Sequence, residues 1–256
     1  MKNIERRQFM GSVISLFGAA SLGFSGITRS SIKQIKSEQS GRKIRLRGVQ
    51  DSKVTHWDII TIGNLSRNRY WGESDERAIR SAICTCSVIS GEDFHVIVDP
   101  SLEDEKAMGT ELYRRTGLTP DKINAVFITH QHGDHIAGLK HFMKARWVAG
   151  SEVASALNKS ATLPKKIESA EESLFGTIDV IPTPGHTPDH QSLRFDFKGM
   201  SVVIAGDSVA TKDFWDERRA YYNVQDPEES KRSMEKIDSI ADIIVPGHDN
   251  YFFNLK

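Results

Sequence analysis

The chain has only two cysteines in 256 residues, Cys84 and Cys86, within "ICTC". So few exclude a disulfide-stapled scaffold, and without a second pair they exclude a zinc ribbon. In an extended strand the two share one face, roughly 6.5–7 Å apart and at the outer limit for a disulfide, so they read as buried small side chains. Net charge is missing too: 34 Lys plus Arg balance 34 Asp plus Glu. That removes any general electrostatic grip on nucleic acid and speaks against a polynucleotide partner. No apolar run reaches the roughly 20 residues that a membrane-spanning helix needs. Tandem repeats and low-complexity tracts are absent. What remains is 38% hydrophobic and 27% charged, an ordinary globular mixture sufficient for a substantial core.

The N-terminus reads "MKNIERRQFMGSVISLFGAASLGFSG". Arg6 and Arg7 precede a weakly apolar stretch from about 12 to 26. A basic segment followed by a short apolar one predicts a twin-arginine-like export signal over 1–27, with the export machinery as partner and a periplasmic destination. An uncleaved membrane anchor is the alternative, because no clean A-x-A cleavage site follows. Residues 28–53 are charged and polar and read as a linker, with the folded domain over 54–256.

Strand patterns appear at 54–64, in "SAICTCSVIS" and "FHVIVDPS" as a hairpin, and in "AVFIT", "ARWVAG", "IDVIPTPG", "QSLRFDFKG", "MSVVIAGDS" and "DIIVPGHD". Helices are expected over 102–117, 133–142, from Ser151 as N-cap, and over 226–241. Strands come in runs without regular βαβ alternation. The expected class is therefore α+β, with two mixed sheets packed face to face and helices outside.

Strand ends deliver one kind of chemistry. "VFIT" leads into "HQHGDH", "VIPTPG" into His186, "VVIAG" into Asp207 and "IIVPG" into His248. The set is His130, His132, Asp134, His135, His186, Asp207 and His248. Imidazole and carboxylate are the N and O donors that zinc accepts, and one tetrahedral catalytic ion takes about three of them. Seven donors suit two ions sharing a carboxylate. The same donors also accept manganese or iron.

H-x-H-x-D-H, followed by a later His, Asp and His, resembles the metallo-β-lactamase-fold hydrolase superfamily from about residue 55 onward. The resemblance implies an αββα sandwich with two Zn2+ at the sheet edges. It assigns His130, His132 and His186 to one metal, Asp134, His135 and His248 to the other, and Asp207 to both. Asp99 matches a carboxylate that supports the histidine loop. Between two such ions a bridging water becomes largely hydroxide near neutrality. Attack on an acyl or phosphoryl centre is then expected, with Asp134 as the catalytic residue orienting the nucleophile and carrying a proton to the leaving group. His190 is read as lining the cleft or orienting the ligand loop, and His56, His95 and His141 as packing or surface residues.

Class B β-lactamases carry cysteine where Asp207 stands, which counts against amide hydrolysis. "TPGHTPDHQSL…AGDS…GHD" is similar to the lactonase branch, although Ala210 occupies the position where those enzymes place a substrate-facing tyrosine. Tyr221 and Tyr222, and Arg67, Tyr70 and Trp71, are candidates for the substrate side. The expectation is a dinuclear zinc hydrolase of a small-molecule lactone, ester or similar carbonyl substrate. The alternatives are a phosphodiesterase or nuclease, a β-lactamase-like amide hydrolase, and a non-catalytic metal-binding protein.

Overall fold

The computed structural model describes residues 52–160 and 163–255. The export signal expected over 1–27 and almost all of the linker expected over 28–53 lie outside the described residues. Among the described residues no helix is long and apolar enough to cross a membrane.

The first sheet contains β1 (Val54–Thr61), β2 (Cys86–Gly91), β3 (His95–Val98), β4 (Ala125–Ile128), β5 (Arg146–Ala149) and β6 (Glu168–Ser169). Helices α1 (Glu105–Thr116), α2 (Gly133–Ile136) and α3 (Ser151–Asn158) lie between its strands. The second sheet contains β7 (Ser173–Leu174), β8 (Ile178–Pro182), β9 (Gln191–Phe197), β10 (Met200–Gly206), β11 (Ile243–Pro246) and β12 (Phe252–Phe253). Between β10 and β11 come α4 (Lys212–Asp216) and α5 (Pro227–Ile240). Both sheets are mixed: β3 to β6 pair in parallel, as do β10 and β11, and the other neighbours are antiparallel.

Period-two alternation sets the layers. In β4, Ala125 and Phe127 face the second sheet with Leu193, Phe195, Val202 and Val245. Val126 and Ile128 face the other way, onto Met108 and Leu112 of α1 and Val153 of α3. On the far side, Met234 and Ile237 of α5 cover Val203, Ala205 and Ile244. The order is helices, sheet, sheet, helices, as expected.

Local chemistry ends the helices. The Asp104 carboxylate accepts the Ala107 N–H at 2.7 Å to open α1, and Gly117, at φ 73°, closes it. Asp226 caps α5 through the Glu229 N–H, with Pro227 in the first turn.

Three expected boundaries are corrected. The helix expected over 133–142 stops at Ile136, because Gly138 N–H turns to the Pro100 carbonyl at 2.8 Å and the chain resumes as a 3₁₀ turn over Leu139–His141. Ser151 is not the cap of α3. Gly150 occupies that position, and the Asp189 carboxylate accepts from Glu152 N at 2.7 Å and Val153 N at 3.3 Å. The strand expected to begin near residue 81 begins at Cys86. Thr85 is drawn across to the second sheet, donating its N–H to the Gly247 carbonyl at 2.6 Å and its hydroxyl to the Asp249 carbonyl at 2.8 Å.

Candidate metal centre

Strand direction assembles the site. Strands β3 and β4 are parallel, so their C-terminal ends emerge on the same edge, Asp99 after β3 and Thr129–His130 after β4. In the second sheet β8 and β10 both run antiparallel to β9 and therefore point the same way, while β11 is parallel to β10. Their C-terminal ends carry His186, Asp207 and His248. The Gln191 N–H donates to the Thr129 carbonyl at 3.1 Å and joins the two edges. The His186 turn needs a glycine: Gly185 has φ 128°, and a β-carbon there would collide with the Ser230 backbone in the first turn of α5.

The seven predicted donors converge in two groups. His130, His132, His186 and Asp207 form one, and Asp134, His135 and His248 the other, with donor atoms within 4.8 Å of one another in each. His132 Nδ1 stands 2.9 Å from His130 Nε2 and 3.0 Å from His186 Nε2. Asp207 joins the groups through different oxygens. Its Oδ2 lies 3.2 Å from His186 Nε2 and 3.8 Å from His130 Nε2, and its Oδ1 lies 3.2 Å from both His135 Nε2 and His248 Nε2. Asp134 Oδ2 is 3.5 Å from His248 Nε2 and 4.0 Å from His135 Nε2. All are buried except His132 and Asp134, which are half-buried at the open side.

These donors fit a pair of cations. Around zinc at roughly 2.0–2.1 Å, neighbouring ligand atoms of a tetrahedron lie about 3.3 Å apart, a spacing the measured separations bracket. The contact between His135 and Asp207 is not ordinary hydrogen bonding. His135 Nε2 and Asp207 Oδ1 are buried 3.2 Å apart, yet neither has a hydrogen-bond partner. Buried polar atoms aimed at a common point without bonding one another are costly unless a cation satisfies them.

Charge is tuned accordingly. Burial alone would raise Asp207, but His248, His135 and His186 together hold it well below the usual carboxylate range. Burial pushes His186 down to about 4 and lowers His130 and His132 as well, so these rings are neutral donors at neutral pH. His135 is raised well above its ordinary value although burial opposes this, by Cys84, Asp207 and Asp99. Burial pushes Cys84 itself up to about 12. It therefore stays a thiol, and the two carboxylates carry the effect.

The remaining sequence candidates separate cleanly. His190 is fully buried and belongs to neither group; its Nδ1 faces the hydroxyls of Thr183 at 2.9 Å and Ser208 at 3.2 Å, behind the His130 ring. His95 bonds Ser90 and His141 bonds the Glu103 carbonyl, while His56 is exposed on β1. Asp99 supports the histidine loop as expected, accepting from His135 Nδ1 at 2.8 Å and Thr129 N at 2.8 Å. Cys84 and Cys86 are free and buried. Ala210 is buried with Leu65, Phe214 and Tyr221. Tyr221 turns its hydroxyl to Ser66 Oγ at 3.0 Å and the Arg67 carbonyl at 3.1 Å, and Tyr222 turns to Asp75, so both hold the loop 65–82. Within that loop Tyr70 and Trp71 are exposed and Arg67 stacks on Tyr222.

Sequence reasoning missed three supports. His248 Nδ1 donates to the carbonyls of Asn64 at 3.1 Å and Ile83 at 3.0 Å, at the two ends of that loop. The Cys84 thiol reaches the Asp99 and Asp134 carbonyls at 3.3 and 3.2 Å. Thr129 touches Asp99 and both neighbouring rings. Only Thr129 left a local signal, its place directly before the histidine motif.

A family model described as "Metallo-beta-lactamase superfamily" matches residues 80–248. Metallo-beta-lactamase domain-containing protein 1 of Mus musculus is 31% identical over 139 residues, 52% of this chain and 50% of that protein. N-acyl homoserine lactonase of Bacillus thuringiensis is 26% identical over 164 residues, 59% of this chain and 65% of that protein. The chain thus spans about half to two thirds of the length of these curated relatives. Among solved structures, AidC, a dizinc quorum-quenching lactonase in complex with a product, superposes with a TM-score of 0.57 at 15% identity, covering 68% of this chain and 76% of that one. At that identity the likeness shows the shared fold.

Proposed function

The chain belongs to the metallo-beta-lactamase superfamily, and from that premise we propose that it is a dinuclear metal-dependent hydrolase of a lactone, ester or similar carbonyl substrate. His130, His132 and His186 would hold one cation, Asp134, His135 and His248 the other, and Asp207 both. The observation that carries this reading is the division of Asp207, whose Oδ2 faces one histidine group and Oδ1 the other. Zinc is the first choice because the donors are mostly imidazole nitrogens, and the dizinc lactonase of the same fold supports it.

When bound, such a pair supplies a water acidified toward hydroxide and a Lewis acid for the substrate carbonyl. The residues supply the rest. The buried rings of His130 and His186 stay neutral and face inward. Asp134, with its side chain 20% exposed, is the carboxylate that reaches both the second group and the open side. It would orient the attacking water and pass a proton to the leaving oxygen. Small-molecule hydrolysis is supported by the lactonase relatives, and no serine or cysteine nucleophile is required.

The test begins with metal analysis of purified protein, for which two equivalents are expected. It continues with turnover of lactone, ester, amide and phosphodiester panels before and after chelation. Carbonyl-ester turnover that disappears with chelator and in Asp207→Ala, with the circular dichroism spectrum retained, is the expected result. Turnover of phosphodiesters alone would replace this reading with a nuclease. Two bound ions with no turnover in any panel would leave a metal-binding protein.

A further inference from the structure

The Thr129 hydroxyl has one proton and three polar neighbours: Asp99 Oδ2 at 2.7 Å, His130 Nδ1 at 3.1 Å and His135 Nδ1 at 3.5 Å. A carboxylate only accepts, so the proton goes to Asp99, the nearest of the three. His130 Nδ1 must then be the donor to the threonine oxygen. That places the His130 proton on Nδ1 and leaves Nε2 as a lone pair aimed at His132, His186 and Asp207.

The same Asp99 Oδ2 accepts directly from His135 Nδ1 at 2.8 Å, so the equivalent nitrogen of a ring in the other group also carries its proton toward this carboxylate. Asp99 is held in turn: its Oδ1 accepts from Thr129 N at 2.8 Å, and its carbonyl accepts from the Cys84 thiol. Its backbone sits at φ 50°, which an aspartate adopts only at a cost. Asp99, Thr129, His130 and His135 are all fully buried or within 1% of it, so water does not compete for these bonds.

We propose that Thr129 is a positioning residue that hangs His130 on the Asp99 carboxylate already holding His135, so that one buried anion orients an imidazole on each side of Asp207. This rests on the two-cation reading of the site. The linkage is selective. His248 has a separate anchor on the Asn64 and Ile83 carbonyls, and His186 Nδ1 has no hydrogen-bond partner. Losing the threonine hydroxyl therefore weakens the His130 group and spares His135, whereas losing the Asp99 charge weakens both.

The experiment compares wild type, Thr129→Val, Thr129→Ser and Asp99→Asn. Valine keeps the shape and the backbone bond to Asp99 and lacks the hydroxyl, while serine keeps the hydroxyl. Zinc is titrated against a competing chelator, and the ions retained are counted. In Thr129→Val one ion is expected to bind roughly 10–100-fold more weakly, the usual scale for losing a ligand's outer partner, with the other unchanged. Serine restores it, and Asp99→Asn weakens both. A second readout uses metal-free protein at neutral pH, where nitrogen NMR reports which His130 nitrogen carries the proton: Nδ1 in wild type and the serine variant, a mixture with valine. Equal affinities in wild type and Thr129→Val, equal weakening of both ions by valine, or an Nε2-protonated His130 in wild type would overturn the proposal. A wild type that binds no zinc would overturn the two-cation reading instead, and the NMR result would still decide the threonine linkage.

Discussion

Gly247 lies flush against Asp207: a β-carbon at position 247 would overlap the Oδ1 that faces His135 and His248. The residue before His248 is small because the carboxylate shared by both histidine groups occupies the space. Gly247→Ala is expected to push that carboxylate aside and to cost about 1–3 kcal/mol of overpacking. Because Asp207 faces both groups, retention of both ions should fall, as read by elemental analysis after dialysis. Gly109 is the control, with no atom near its would-be β-carbon. Gly109→Ala in α1 should stabilise the protein by about 0.5–1 kcal/mol and leave metal content unchanged.

Asp189 caps α3 from a distance, accepting two of its first N–H groups. Asp189→Ala should cost about 1 kcal/mol in chemical denaturation, the usual scale of an N-cap. Asn should recover most of that, because its side-chain oxygen accepts the same bonds. A loss well below this scale in the alanine variant would mean that the cap contributes nothing.

Stability of chelator-treated protein should fall on acidification. Burial pushes His186 to about 4 and His190 to about 3, against 6.5 for a free ring, and lowers His130 and His132 too. Between pH 6.5 and 4 these four rings therefore bind more protons in the unfolded chain than in the folded one, and their contribution to stability rises with pH across that window. His135 and His248 are raised; they are protonated in both states below 6.5 and add no slope there. Denaturation midpoints at pH 6.5 and pH 5 check this, with a lower midpoint expected at pH 5.

Tyr221→Phe removes the hydroxyl that ties residues 66 and 67 to the ring cluster and leaves the edge contact with Phe214, at 5.5 Å between centroids. Faster amide exchange is expected within 66–80, with a cost of about 1 kcal/mol. Exchange confined to the neighbourhood of residue 221 would show that this hydroxyl does not hold the loop.

Much of the architecture was legible because its causes are local. "AVFI" alternates as a strand buried on both faces, Asp104 and Gly117 bracket α1, and Asp226-Pro227 opens α5. Where a boundary moved, a distant group had intervened. Pro100 bends the chain at Gly138, Gly247 draws Thr85 out of its strand, and Asp189 supplies the cap that Ser151 was expected to provide. Single-sequence patterns carry no trace of such partners.

The seven donors show the same division. Their kinds, their order and their places after apolar strands follow from residues adjacent in the chain. Tertiary pairing alone decided which atoms meet: His132 enters through Nδ1 while His130 and His186 enter through Nε2. It also kept His190, a histidine four positions beyond His186, in the background against Thr183 and Ser208. Holding a cation depends on direction and on tenths of an ångström between groups far apart in the chain. Those quantities come from how two sheets stack and which strand ends share an edge, and no local stretch of residues encodes them.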